Sequence, residues 1–132
     1  MKLSEYIATI EKIIREYSQT DLILTHELYS DLRTEKLGIL KGIIVFIDNS
    51  KLMFTEYVNL KYGTEKVSYS YHYQDAKDQL IFRYDNSKHR PPLLYLCHKH
   101  FKKSIIESKI PNFSNIIEEI IAIILKKLED IN

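Results

Sequence analysis

The segment VSYSYHYQDAKDQLIFRYD, residues 67–85, decides the fold. Large apolar side chains occupy every second position on both sides of a polar turn. A period of two is typical of strands that bury one face, so this segment predicts an antiparallel β-hairpin. Burying the aromatic side chains predicts a register in which Tyr73 faces Leu80 and Tyr71 faces Phe82.

The opposite face of this hairpin is polar. It brings an imidazole, a guanidinium and a carboxylate into one neighbourhood, carried by Ser68, Ser70, His72, Arg83 and Asp85. A sheet needs no such combination for its stability, so we take this face as the centre of a candidate site.

Three further strands are predicted before the hairpin. The segment Gly38–Ile47 is rich in β-branched residues and apolar on both faces, which is typical of a central strand. Turn residues follow at Asp48–Ser50, so Lys51–Asn59 is predicted to return beside it. The segment Asp21–Asp31 alternates loosely and predicts another strand.

Matching apolar residues across the second hairpin pairs Ile47 with Leu52 and Val45 with Phe54. In this register Glu56 lies on the side of the sheet that faces the core. A carboxylate in that position is unusual, because burial of an unpaired charge is costly.

Helices are predicted at both ends of the chain. Apolar residues recur three and four positions apart over Leu3–Tyr17, with Ser4 as the candidate N-cap. A second helix begins after a cap at Asn112 or Ser114 and carries a wide apolar face, formed by Ile116, Ile117, Ile120, Ile121, Ile123, Ile124, Leu125 and Leu128. This face must pack on the sheet or on a partner, in a homodimer or with another protein.

The region between the hairpin and the last helix is predicted as a loop and a short strand. Consecutive prolines exclude regular structure from Asn86–Pro92. Over Leu93–Lys99 a strand is expected, which puts His98 and His100 on one side with Leu96. We therefore expect one α+β domain over residues 1–132, with five to six mostly antiparallel strands in a curved sheet and both terminal helices packed on it.

Composition narrows the functional classes. The net charge of +1 excludes a uniformly basic nucleic-acid binder, so any such role depends on a local patch. The single cysteine, Cys97, excludes an internal disulfide, and no stretch is long and apolar enough for a membrane helix. We expect a cytoplasmic protein with no membrane partner and no cofactor.

The polar residues suit cleavage of a phosphodiester. That reaction needs a base, an acid and cations that stabilise charge on the phosphorus-bound oxygens. Histidines supply the first two roles, and Tyr84 or Tyr71 is an alternative acid. The candidate catalytic residues are His72, Arg83, His98, Lys99, His100 and Tyr84.

Two other interpretations use the same residues. The histidines suit a metal ion, which would make a metal-dependent nuclease, although the neighbouring lysines would repel a cation. Alternatively, the basic stretch from Lys88 to Lys103, which has five Lys and Arg residues and no carboxylate, binds nucleic acid or protein without catalysis. The candidate binding residues are Lys88, His89, Arg90, Lys102, Tyr71, Asp85 and Glu56.

Four blocks of the sequence together resemble the TumE-like family of small toxins from toxin–antitoxin pairs. They are FTEYV at 54–58, YSYHYQD at 69–75, LIFRYDN at 80–86 and HKH at 98–100. The resemblance implies a toxin that acts on RNA and is neutralised by a helix-turn-helix antitoxin. The positions carried over are Glu56, Tyr71, His72, Arg83, Tyr84, Asp85, Asn86, His89, His98, Lys99 and His100.

The chain departs from the family pattern at two positions. Arg90 follows His89, and Cys97 precedes His98, where the family tends to have a second histidine. If those histidines are catalytic in the family, this chain must use a different acid or be less active.

Overall fold

The computed structural model describes residues 1–87, 97–101 and 104–130, which form two helices and seven strands. The fold is α+β as predicted, with seven strands in place of five to six. In chain order the elements are α1 (Leu3–Ser18), β1 (Ile23–Leu32), β2 (Leu37–Phe46), β3 (Lys51–Asn59), β4 (Glu65–Gln74), β5 (Leu80–Asp85), β6 (His98–Phe101), β7 (Ser104–Glu107) and α2 (Phe113–Glu129).

The strands form a single antiparallel sheet in the order of the sequence, from β1 to β7. Each strand pairs with the next one along the chain, as short connections allow. The seventh strand arises because His98–Phe101 and Ser104–Glu107 pair as two antiparallel strands, where a single strand ending at Lys99 was predicted. Of that predicted strand, Leu93–Leu96 lies outside the described residues.

One face of the sheet packs against both helices, and we call it the helix face. Ile10 and Ile14 of α1 are buried in the same apolar cluster as Phe54 and Phe82 of the sheet. The Phe113 ring of α2 lies 5.0 Å from that of Phe54. The apolar face of α2 therefore packs against the sheet within the chain, except at Leu125 and Leu128, which are exposed.

The predicted register of the β2–β3 hairpin is wrong by three residues. Ile44 lies opposite Leu52, and Val45 lies opposite Lys51. The reason is that β2 ends at Phe46, whose backbone amide donates to Ser50 O (2.9 Å) and closes a turn before Ile47 can pair.

The predicted register of the β4–β5 hairpin is wrong by two residues. Tyr73 lies opposite Phe82, and Tyr71 lies opposite Tyr84. A register irregularity next to Gln74, at the start of the turn, accounts for the slip. Since the slip is even, His72, Arg83 and Asp85 still lie on the predicted face.

Two local predictions are also corrected. A bulge opposite Tyr57 and Val58 leaves Val67 47% exposed and turns Lys66 towards the core. The N-cap of α1 is Lys2 rather than Ser4, because the Lys2 amide donates to the Glu5 side chain (3.3 Å). The Asn112 cap of α2 is confirmed, its side chain accepting from the Asn115 amide (2.7 Å).

Candidate active site

Two rows of side chains cross the face of the sheet opposite the helices, which we call the open face. Residues paired directly across strands share a face, so each row follows from the register. From β1 to β7 the first row is Tyr29, Lys41, Thr55, Ser70, Asp85, His98 and Glu107. The second row is Glu27, Ile43, Met53, His72, Arg83, His100 and Ile105.

Asp85 organises the cluster on β4–β6. Its Oδ1 atom lies 3.2 Å from His98 Nδ1, and its Oδ2 atom lies 3.2 Å from His100 Nε2. Arg83 Nε donates to Oδ2 (3.0 Å), and the Ser87 hydroxyl donates to Oδ1 (2.9 Å). One buried carboxylate therefore orients both histidines of β6.

Arg83 connects this carboxylate to the third histidine. Its Nη1 atom lies 3.3 Å from His72 Nδ1, while His72 Nε2 lies 3.1 Å from Gln74 Oε1. Since a guanidinium only donates, His72 Nδ1 accepts and Nε2 carries the proton of the neutral ring. Arg83 thus lies between His72 and His100 on neighbouring strands.

The three histidines differ in accessibility. The His98 side chain is only 2% exposed, whereas that of His100 is 21% exposed. His72 is half-buried at the edge of a groove. His72 and His100 are therefore better placed than His98 to contact a ligand.

Electrostatics keep Asp85 ionised. Burial alone would raise its pKa, but hydrogen bonds from Ser87, His98 and Arg83 and the charge of His100 outweigh burial and hold the pKa below its ordinary value. The carboxylate is thus a fixed negative charge beneath the two histidines.

This cluster also contains a set of metal-ligating atoms. One atom each of Asp85, His98 and His100 lie within 4.8 Å of one another, and two imidazoles with a carboxylate are a common ligand set for zinc and iron. The Arg83 guanidinium on Asp85 Oδ2 opposes a cation, because it already neutralises the carboxylate.

Two predicted catalytic residues lie on the other side of the sheet. Lys99 Nζ is 3.1 Å from Glu119 Oε2, and the Tyr84 hydroxyl donates to Glu119 Oε1 (2.6 Å). Lys99 alternates with His98 and His100 along β6, so strand geometry sends it to the helix face. Lys99 and Tyr84 are thereby separated from the histidines and hold α2 on the sheet.

Glu56 and Tyr71 form a separate buried cluster. Glu56 is fully buried; it accepts hydrogen bonds from the hydroxyls of Tyr6 and Tyr71, the latter at 2.6 Å. Lys66 Nζ lies 3.9 Å from Glu56 Oε2 and donates to Pro111 O (2.7 Å). Burial and the Glu56 charge raise the pKa values of both tyrosines, so these hydroxyls stay protonated.

The other predicted binding residues, Lys88, His89, Arg90 and Lys102, lie outside the described residues. Sequence reasoning missed four members of the polar clusters, Tyr6, Lys66, Ser87 and Glu119. The sequence could have indicated Glu119, because this residue interrupts the apolar pattern of α2. The sequence could not have indicated Lys66, since the bulge that turns this residue inward leaves no pattern in the sequence.

A groove extends from the cluster over the open face. Its volume is about 750 Å³, and its lining includes Tyr29, Lys41, Ile43 and Met53 at one end and His72 and Arg83 at the other. The cluster and the groove therefore form one continuous surface.

A family model described as Toxin TumE matches residues 10–128 of the 132-residue chain. The chain belongs to the TumE toxin family. The TumE match runs from α1 into α2, so it covers every strand of the sheet and the whole histidine cluster. The chain is thus the toxin component of a pair, and TumE membership implies an antitoxin partner.

No curated protein and no solved structure matches this TumE-family chain. Across residues 1–87, 97–101 and 104–130, neither helix is long and apolar enough to cross a membrane.

Proposed function

We propose that this TumE-family toxin cleaves RNA by acid–base catalysis without a metal, with His72 and His100 as the proton-transfer pair. The observation that carries the proposal is the cross-strand series His72, Arg83, His100 above the buried Asp85. A guanidinium between two imidazoles suits a phosphate whose attacking and leaving oxygens lie on opposite sides.

The spacing of the strands sets the size of this site. Neighbouring strands are about 4.8 Å apart, so the backbones carrying His72 and His100 are roughly 10 Å apart. Both side chains can then reach a phosphate bound over Arg83 from either side.

The hydrogen bonds support a division of the two roles. An Nε2 proton on His100 directed at Asp85 leaves Nδ1 as the basic nitrogen of the neutral ring. In the free protein His72 is neutral, because its Nδ1 accepts from Arg83. It acts as the acid only as an imidazolium, which forms when the substrate phosphate takes over the Arg83 contact and Nδ1 gains a proton. His100 is therefore the base and His72 the acid of the proposed reaction.

The reaction balances within the RNA. His100 takes the proton of a 2′-hydroxyl, and the oxygen forms a new bond to the adjacent phosphorus. The bond from phosphorus to the 5′-oxygen breaks, and the His72 imidazolium donates the proton that this oxygen needs and becomes neutral. The products are a 2′,3′-cyclic phosphate and a 5′-hydroxyl, with Arg83 stabilising the charge on phosphorus-bound oxygens.

The test is cleavage of a mixed-sequence RNA by the purified protein, in EDTA and with added Mg²⁺, Mn²⁺ or Zn²⁺. We expect cleavage in EDTA that His72→Ala and His100→Ala each reduce at least about 100-fold. His26→Ala is the matched control, since His26 is exposed on β1 and pairs on the other face of the sheet.

Two outcomes would contradict the proposal. Cleavage only with added metal would make Asp85, His98 and His100 ligands. Saturable RNA binding without product, in protein that folds normally by circular dichroism, would identify a binding module that does not cleave RNA.

A further inference from the structure

We propose that the groove over β1–β4 binds unpaired RNA and leads it to His72 and Arg83. This inference rests on the proposed function, because it names the form of RNA that the same site accepts. Its test separates binding in the groove from cleavage at the histidines.

The first argument is continuity. His72 and Arg83 line the groove and also belong to the cluster around Asp85. A polymer with its phosphate over Arg83 must continue in some direction, and the groove extends from that point across β4, β3 and β2 to Tyr29 on β1. The groove is therefore positioned to hold nucleotides next to the reacting phosphate.

The second argument is the chemistry of the groove. Tyr29 is 64% exposed and Ile43 is 43% exposed, and Met53 lies beside Ile43 on β3. An aromatic ring and apolar side chains bind the faces of bases, whereas phosphates need hydrogen-bond donors. In a duplex those faces are stacked inside the helix, so this surface suits single strands.

The third argument is charge. Lys41 lies directly opposite Tyr29, and Arg83 lies at the far end of the groove. Glu27 is the single carboxylate among the lining residues, and the partner of Arg83, Asp85, lies beneath the cluster outside the lining. Phosphates of a single strand would neutralise both cations while its bases cover the apolar residues, which a purely apolar protein segment would not do.

The experiment measures fluorescence anisotropy with a labelled 12-nucleotide 2′-O-methyl RNA of mixed sequence, alone or annealed to its complement. The methyl group blocks the proposed nucleophile, so binding is measured without cleavage. The variants are Tyr29→Ala and Lys41→Ala. Their matched controls are Tyr62→Ala and Lys61→Ala, because Tyr62 is 91% exposed and neither residue lines the groove.

We expect the single strand to bind at least tenfold more tightly than the duplex. Tyr29→Ala should weaken single-strand binding about tenfold, as loss of one stacked base predicts. Lys41→Ala should also reduce the dependence of affinity on salt, because one phosphate contact is lost. Tyr62→Ala and Lys61→Ala should bind like the unmodified protein.

Equal binding of both RNA forms, absence of binding, or equal affinity of Tyr29→Ala and Tyr62→Ala would each overturn the inference. If Tyr29→Ala weakened the binding of a partner protein but not the binding of RNA, the groove would be a protein-docking surface instead. RNA cleavage with an unchanged KM in Tyr29→Ala would retain the proposed function and reject the groove. RNA binding that depends on Tyr29, without cleavage of ordinary RNA, would support the groove and reject the proposed function.

Discussion

Asp85 and His98 face each other across β5 and β6, with Asp85 Oδ1 3.2 Å from His98 Nδ1 and both side chains almost completely buried. The same carboxylate reaches His100 through its other oxygen. His98 therefore fixes one side of the carboxylate, and this leaves the other side to orient the more exposed His100. In this arrangement Asp85 and His98 are positioning residues for the proposed base.

Asp85→Asn should lower kcat about 10- to 100-fold while KM changes little, since loss of a residue that orients a functional histidine has this effect. Asn presents an amide nitrogen that cannot accept from Arg83 or from a histidine. The free energy of unfolding should fall by about 1–3 kcal/mol, as for other buried polar groups that lose a partner. Steady-state kinetics and urea unfolding test this, with Asp21→Asn as the exposed control. A parallel rise in KM would place Asp85 in substrate binding instead.

Asp85 should also make stability depend on pH in the acid range. Its pKa is lower in the folded protein than the value of about 3.9 expected when unfolded. The stabilisation is therefore complete above that value and is lost as pH falls through the folded pKa. Urea unfolding between pH 2.5 and 7 measures the free energy of unfolding of the original protein and of Asp85→Asn. The difference between the two free energies should be constant above about pH 5 and should shrink below pH 4. A difference that stays constant down to pH 2.5 would contradict this assignment.

The buried Glu56 and Lys66 should show strong energetic coupling. Glu56→Gln alone leaves Lys66 without its carboxylate, and Lys66→Met alone leaves the buried Glu56 charge uncompensated. Each change should destabilise the protein by about 3 kcal/mol, because breaking a buried pair strands a charge. The double variant should be less destabilised than the sum of the two. Urea unfolding of all four proteins measures the coupling, and simple additivity would show that the pair does not interact.

The hairpin of residues 67–85 shows how far the sequence could predict this site. Alternation along each strand correctly assigned His72, Arg83 and Asp85 to one face, and it also predicted the inward orientation of Glu56. Registers were wrong because turns and bulges set them: Asn49 and Asp78 adopt positive φ angles in their turns, and the bulge opposite Tyr57 and Val58 inverts Lys66.

Clusters formed by residues far apart in the chain could not be predicted from the sequence. Tyr6 meets Glu56 across 50 residues, and Tyr84 meets Glu119 across 35. These contacts depend on how the helices pack on the sheet, which local patterns do not encode. The grouping of Lys99 with His98 and His100 was a different error, because the alternation of a strand already places adjacent residues on opposite faces.

Lys99 tests this separation of the two faces. The sequence favoured it as a catalytic cation, but its ammonium group pairs with Glu119 of α2 on the helix face. Lys99→Met should therefore lower the free energy of unfolding by about 1 kcal/mol, typical of a partly exposed ion pair. It should leave kcat and KM for RNA within about twofold, whereas Arg83→Met should reduce kcat at least about 100-fold.

Hydrogen bonds to Tyr84 and Glu119 outweigh burial and raise the pKa of Lys99, so its stabilisation is complete below about pH 10 and lost at more alkaline pH. Urea unfolding at pH 7 and pH 11 tests the effect of Lys99→Met on stability and its dependence on pH. Cleavage kinetics at pH 7 test whether kcat and KM stay unchanged. A Lys99→Met protein that is as stable as the original but inactive would return Lys99 to the active site, and would contradict the separation of the histidines from the helix face.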